Sequence, residues 1–315
     1  MTKPFKRIVV TGASGFLGSH IVPQLTRSGD KVITVSRTDC DLLEKASIIE
    51  MLLATRPDCV VHLAAKVGGI IANDRYPADF YYENLMMNTL LFDLSYRHGV
   101  KKFLTLIGGC SYPSEAISPI DEEQMWNGYP QQESAPYSTA KKMVIVQSMA
   151  YRKQHGFNSV VLIPGNVYGE FDNFDEEYSH VIPALIRRFE DAKTRNLESV
   201  TCYGSGRPTR DFVYAGDVAE LIPWFLDKYN SSEPVNISSG KSVSIKQLSE
   251  TVADTVGFKG KIQWDTSKPD GQIDKIFDVT RLNGLGLSCD TSLQTGLRKT
   301  VDWYRNALKS GDARI

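Results

Sequence analysis

Three glycines spaced Gly-x-x-Gly-x-x-Gly, in Gly12-Ala13-Ser14-Gly15-Phe16-Leu17-Gly18, constrain this chain more than any other feature. They follow Ile8-Val9-Val10, a β-branched run suited to a buried parallel strand. Behind them Phe16, Leu17, Ile21, Val22 and Leu25 recur at helical spacing. Strand, glycine turn and helix form the setting that a dinucleotide-binding motif requires, although the spacing is not Gly-x-Gly-x-x-Gly. In this reading Gly12 permits the tight turn, Gly15 lets backbone approach a pyrophosphate, and Gly18 allows close helix–strand packing. The first N–H groups of the helix then face the phosphates. A strand–turn–helix without a ligand leaves the three glycines with no evident packing need.

Further along, strands and helices alternate. Val32–Val35, Cys59–Leu63, Phe103–Ile107 and Ser159–Ile163 read as strands, and Pro77–Arg97 and Tyr137–His155 as helices. The alternation predicts an α/β fold, a doubly wound parallel (Rossmann) sheet with a second, smaller α/β substrate domain. Residues 111–136 read as a loop, punctuated by Pro113, Pro119, Gly128, Pro130 and Pro136. Val181–Ala192 reads as helix and 204–210 as a binding loop, while Val213–Leu226 and Val235–Ile237 return to the nucleotide domain. This assigns residues 1–168 with roughly 211–240 to nucleotide binding and 169–210 with 241–315 to substrate binding.

Composition removes other function classes. A net charge of -1 gives no reason to expect nucleic acid or an anionic membrane surface as partner. No apolar run reaches membrane-spanning length, and Met1-Thr2-Lys3-Pro4-Phe5 lacks the apolar core of a signal peptide. The 5 cysteines are scattered, with no Cys-x-x-Cys pair and no metal-ligand spacing, so reduced thiols in a cytoplasmic protein are expected.

Tyr137-Ser138-Thr139-Ala140-Lys141 is the second chemical signal. On a helix the tyrosine and lysine share one face. A neighbouring ammonium favours phenolate, so a lowered Tyr137 pKa and a phenol usable in proton transfer are expected.

With the glycine turn, this motif resembles the extended short-chain dehydrogenase/reductase superfamily, and several segments narrow the resemblance to GDP-L-fucose synthases. They are Ala64-Ala65-Lys66-Val67-Gly68-Gly69-Ile70, Cys110-Ser111-Tyr112-Pro113, Asn166-Val167-Tyr168-Gly169, Asp172-Asn173-Phe174 and Ser179-His180-Val181-Ile182-Pro183-Ala184-Leu185. Gly204-Ser205-Gly206-Arg207-Pro208, Arg210-Asp211-Phe212 and Lys268-Pro269-Asp270-Gly271 continue it, so that it covers essentially the whole chain. The resemblance implies a GDP-4-keto-6-deoxy sugar as substrate, inverted at C3 and C5 and then reduced at C4. Cys110 and His180 match the family's acid/base pair, Tyr137 its proton donor to the C4 oxygen, and Lys141 the residue that supports Tyr137 and holds the nicotinamide ribose.

For the cofactor, Ser36-Arg37 after the second strand favours NADP, because arginine pairs with a 2′-phosphate where an acid would hold ribose hydroxyls. Asp39 and Asp41 close behind leave NAD open. The resemblance adds Asp41 and Leu42 near the adenine, with Ser14, Phe16, Leu17, Ala64, Ala65 and His180 as further cofactor positions. For the substrate it implies Arg188 and Arg210 on the diphosphate, Tyr203 flanking guanine or the sugar, and Asn166 and Lys66 beside the sugar. It also implies a homodimer through Pro77–Arg97 and Tyr137–His155, with Leu90, Leu91 and Leu94 among the apolar positions.

Two departures stand out. Where these enzymes place a serine or threonine beside the tyrosine, this chain has Gly108, so Ser111 and Thr139 become the nearest substitutes. Asp274 replaces a basic residue and reverses a charge. The alternatives carried forward are an epimerase without net reduction and a non-catalytic nucleotide-binding protein.

Overall fold

Strands that are apolar along both faces need cover on both, and the chain supplies it by alternating them with helices. The computed structural model describes residues 7–175, 179–268 and 270–314. Met1–Phe5, read above for the lack of a leader, and Pro269 lie outside these residues. The chain runs through β1 (Arg7–Thr11), α1 (Phe16–Arg27), β2 (Lys31–Val35), α2 (Lys45–Thr55), β3 (Cys59–His62), α3 (Ile70–Arg75), α4 (Pro77–Arg97), β4 (Lys102–Leu106), α5 (Ala135–His155), β5 (Asn158–Pro164) and β6 (Asn166–Tyr168). It continues through α6 (Val181–Thr194), β7 (Ser199–Tyr203), β8 (Thr209–Arg210), β9 (Phe212–Tyr214), α7 (Ala215–Asp227), β10 (Val235–Ile237), β11 (Val243–Ser244), α8 (Ile245–Val256), β12 (Lys261–Asp265), β13 (Asp274–Lys275), α9 (Thr280–Gly284) and α10 (Leu293–Ser310).

Six strands form a parallel sheet in the order β10-β5-β4-β3-β1-β2. Ile8, Val10, Cys59, Val61, Leu104 and Leu162 pack beneath α1 and α7. Their sequence neighbours Val9, Val60, Phe103, Val161 and Ile163 pack on the other face beneath α2, α4 and α5. Each fully buried aliphatic side chain contributes about 1.5–3 kcal/mol, and a one-residue slip would exchange the two sets. The doubly wound sheet is therefore as expected, and the foreseen strands agree within a residue at each end. Helix α5 begins two residues early, at Ala135, because Pro136 fits a first turn where its missing N–H costs nothing. The 111–136 loop is not featureless: short 3₁₀ turns occupy Glu122–Trp126 and Gln132–Ser134.

The winding reverses between β1 and β3, the switch point where open α/β sheets bind ligands outside the carboxyl ends of their strands. His62 stitches that point together. Its Nδ1 lies 2.7 Å from Thr11 Oγ1 and its Nε2 3.0 Å from Asn88 Oδ1. Burial pushes its pKa down to about 3, so it is a neutral bridge.

A second cluster joins Ile182, Leu185 and Phe189 of α6, Leu248 and Val252 of α8, and Leu297, Val301 and Tyr304 of α10. Short sheets β12-β7 and β11-β8-β13 flank it. The parallel pair β6–β9 carries the chain out to this cluster and back to α7. Phe277, Leu282 and Cys289 return to the clusters of the large sheet. Among the described residues no helix is long and apolar enough to cross a membrane, and no group of three His, Cys, Asp or Glu residues is placed to hold a metal ion.

Candidate active site

The glycine turn leaves β1 at the switch point. Gly12 has φ +71°, a conformation side chains avoid, and a Cβ there would come 2.6 Å from Ala64 N. The turn thus lies directly against the loop after β3, which holds Ala64 and Ala65. A Cβ on Gly15, the N-cap of α1, would come 3.0 Å from Gly12 O, so the turn's own carbonyl crowds that position too. Gly18 departs from the expected role. Its Cβ would strike Gly12 O at 2.3 Å and Ala13 O at 2.5 Å, so it lets the turn fold over the first turn of α1 rather than letting α1 approach the sheet. Gly18→Ala is expected to lower stability by at least about 1–3 kcal/mol, since neither carbonyl can move aside. Urea denaturation measures it, and an unchanged midpoint would contradict the packing.

Of the remaining cofactor positions, Ser14 and Arg37 are exposed, the latter just beyond β2, and Leu17 packs partly into the core. Asp39 is engaged by Ser36, whose Oγ and N–H donate to its carboxylate at 2.6 and 2.9 Å. Asp41 accepts from Leu43 N–H at 2.9 Å, and the Leu42 side chain is buried in the core. A tight glycine turn that side chains would crowd, followed by an exposed arginine at the next strand end, fits a dinucleotide carrying a 2′-phosphate.

On α5, Tyr137 and Lys141 lie one turn apart, beside the 3₁₀ turn Gly109–Ser111. Cys110 is within electrostatic reach of Tyr137, Lys141 and Lys275. Of the five cysteines, all free, it alone is not buried. The tyrosine's chemistry corrects the expectation. Its ring is partly exposed, yet dense surroundings push the phenol pKa up, and Cys110 adds to this; no lowering by Lys141 outweighs them. Burial also lowers Lys141 to about 8. Desolvation wins over the ammonium because both groups share the same enclosed site.

His180 is the N-cap of α6, its side chain 57% exposed, with Nδ1 3.9 Å from Asp172 Oδ1. Asp172 raises its pKa against the opposing effect of burial, a coupling that solvent screens at this exposure. Asp172 itself is buried, and its Oδ2 has no hydrogen-bond partner. Among the described residues no hydrogen bond or ion pair joins His180 to the Tyr137–Lys141–Cys110 group.

Of the substrate candidates, Lys66 is linked to this centre through Phe80 and Arg210 through Lys275. Lys66 is paired with Glu83 at 2.5 Å and Asp79 at 3.6 Å, and lines a hollow of about 290 Å³ with Tyr76 and Phe80. Phe80 meets the Tyr137 ring edge to face at 6.2 Å, so the hollow adjoins α5. Asn166 Nδ2 donates to Asp211 O at 2.8 Å. Arg188 lies over the exposed Tyr203 ring, 5.1 Å from its centroid, which brings two of the residues together. Arg210 donates to the carbonyls of Thr209 and Gln272, both at 2.7 Å. Sequence reading missed Lys275, which pairs in register with Arg210, and Asp270, whose carboxylate takes Ser205 N–H and Oγ at 2.6 and 2.7 Å. Asp270 lay within a recognised segment, and Lys275 directly follows Asp274, the charge reversal noted above.

The NAD dependent epimerase/dehydratase family profile matches residues 8–238. The chain belongs to this family. Within the family it is 42% identical over 299 residues to a GDP-L-fucose synthase of Sinorhizobium fredii, covering 95% of each chain. Its fold matches a GDP-L-fucose synthetase from Naegleria fowleri bound to NADP, with TM-score 0.91 and 28% identity over 100% of this chain and 98% of that one. It also matches a GDP-D-glycero-L-gluco-heptose synthase from Campylobacter jejuni, crystallised with NADPH, with TM-score 0.88 and 25% identity over 97% and 99% of the chains.

Both departures of this epimerase/dehydratase family member have a structural setting. A Cβ on Gly108 would come 3.0 Å from Cys110 Sγ, so the thiol itself crowds the position left by the missing side chain. Ser111 does not fill the role: it is fully buried, and its Oγ has no partner. Asp274 accepts from Thr209 Oγ1 at 2.5 Å and acts on the charge of Arg210 across the β8–β13 pair.

Proposed function

We propose that this enzyme is an NADP-dependent epimerase/reductase of a GDP-linked 4-keto sugar, acting in the cytoplasm as a homodimer. The observation that carries the reading is the grouping of Tyr137, Lys141 and Cys110, with Lys141 in electrostatic reach of His62 on β3. NADPH, when bound, supplies the hydride. Gly12, Gly15, Gly18 and the start of α1 hold its pyrophosphate, and Arg37 its 2′-phosphate. Arg37→Ala should therefore weaken NADPH binding and spare NADH; equal losses would contradict that assignment.

The ketone acidifies its neighbouring C–H bonds. Cys110 and His180 form the pair that removes a proton from one face of the sugar and returns one to the other, first at one carbon and then at the second. Tyr137 then gives its proton to the C4 oxygen as C4 is reduced. The high phenol pKa keeps that proton in place until alkoxide character develops on the substrate. The Lys141 ammonium stabilises the phenolate left behind. It loses its proton as pH rises through about 8, so kcat/KM for reduction should fall on the alkaline side with a midpoint near 8. A flat profile up to the ordinary lysine pKa of about 10.4 would contradict this.

Residues 1–168 with 211–240 serve the nucleotide and 169–210 with 241–315 the sugar nucleotide, with Arg188, Tyr203 and Arg210 toward the GDP and Lys66 and Asn166 toward the sugar. Leu91 and Leu94, expected at the pairing face, are buried in the core of this chain; exposed Tyr81 and Tyr82 on α4 and Val146 and Met149 on α5 suit helix pairing between two copies instead. A monomer mass by light scattering would reject the dimer. A panel of nucleotide 4-keto sugars in deuterated buffer with NADPH, read by mass spectrometry, tests the function; no exchange and no reduction across the panel would refute it. Gly108 supports a second reading, an epimerase that reduces poorly, and steady NADPH consumption separates the two.

A further inference from the structure

We propose that Arg314 is a cofactor-binding residue, supplying the positive charge that the glycine turn lacks. The inference rests on the NADP reading above. Residues 12–18 contain no lysine or arginine, so within the turn only backbone N–H groups and the start of α1 oppose the two charges of a pyrophosphate. The chain closes this gap from the opposite end. Arg314 Nη2 donates a hydrogen bond to Ser14 O, across 300 residues of sequence. Ser14 directly precedes Gly15, the N-cap of α1, so the guanidinium stands beside the amides that face the phosphates.

The backbone beneath that side chain is fastened. Helix α10 ends at Gly311, φ +80°, and the Asp312 N–H returns to Ala307 O at 2.9 Å. Phe174 N–H then donates to Arg314 O at 2.8 Å, and Ala313 packs on the cluster of the small lobe. Phe174 is itself stacked on Tyr304, with ring centroids 4.3 Å apart. The small lobe thus carries an arginine across the seam onto the glycine turn. The residue is exposed and, among the described residues, has no carboxylate partner, so its remaining donors are free for a phosphate.

Binding of NADPH, NADH and adenosine 2′-monophosphate, which has no pyrophosphate, is to be measured by fluorescence titration and displacement on the full chain and on Arg314→Ala and Arg314→Lys. Arg314→Ala should weaken NADPH and NADH alike, by about tenfold, and leave adenosine 2′-monophosphate unchanged. Arg314→Lys should restore part of the loss. Unchanged NADPH binding in Arg314→Ala, or an equal loss for adenosine 2′-monophosphate, would overturn the assignment. If the unaltered chain binds none of the three, the NADP reading itself fails and this one falls with it.

Discussion

Replacing Tyr137 with Phe lowers the rate of ketone reduction by about 10²–10⁴, with NADPH affinity nearly unchanged. The substitution removes one oxygen from the first turn of α5 and keeps the ring against Phe80, so the fold and the glycine turn are undisturbed. The size of the effect follows from the loss of the one hydroxyl that α5 presents beside Cys110: Lys141 is held by burial one helical turn away, and Ser111 is fully buried. Gly108 makes the dependence steeper still, because no side-chain hydroxyl stands there to polarise the carbonyl. Single-turnover NADPH oxidation on a nucleotide 4-keto sugar measures it. A Phe variant that reduces at the unaltered rate would place the proton donor elsewhere.

Cys110→Ser is expected to cut exchange of the sugar's ring C–H positions with solvent deuterium by about 10²–10⁴. A serine hydroxyl fits the space of the thiol but is far too weak an acid to cycle a proton near neutrality. The change falls on the half-buried Cys110 of a 3₁₀ turn and replaces its sulfur with a smaller oxygen, so a loss of exchange reports chemistry rather than unfolding. His180→Gln should give a comparable loss. Mass spectrometry in deuterated buffer, without NADPH, follows the step in isolation. Full exchange in the Cys110 variant would remove that residue from the mechanism.

Much of this was legible in the sequence where the physics is local. The glycine turn, the strand runs and the Tyr137–Lys141 spacing each express a constraint that acts within a few residues, and the large sheet follows from them. What was hidden depends on groups that only folding brings together. The sign of the Tyr137 shift was misjudged because helical spacing shows the ammonium but not the surrounding burial. The role of Gly18 was misjudged because its obstacles are the turn's own carbonyls. Lys275 gains its place through a two-residue strand pairing with Thr209–Arg210, too short to leave a periodicity. Arg314 on Ser14 carries no motif of its own, and Asp172 lay in a recognised segment that did not show its pairing with His180.

The account's central claim is that an enclosed phenol delivers a proton as hydride reaches a sugar ketone. Incubation with GDP-4-keto-6-deoxymannose and NADPH deuterated at the transferable nicotinamide position tests it most directly. The account predicts one deuterium at C4 of the sugar for each NADPH oxidised. Epimerised sugar without that deuterium, and with NADPH unconsumed, would contradict it.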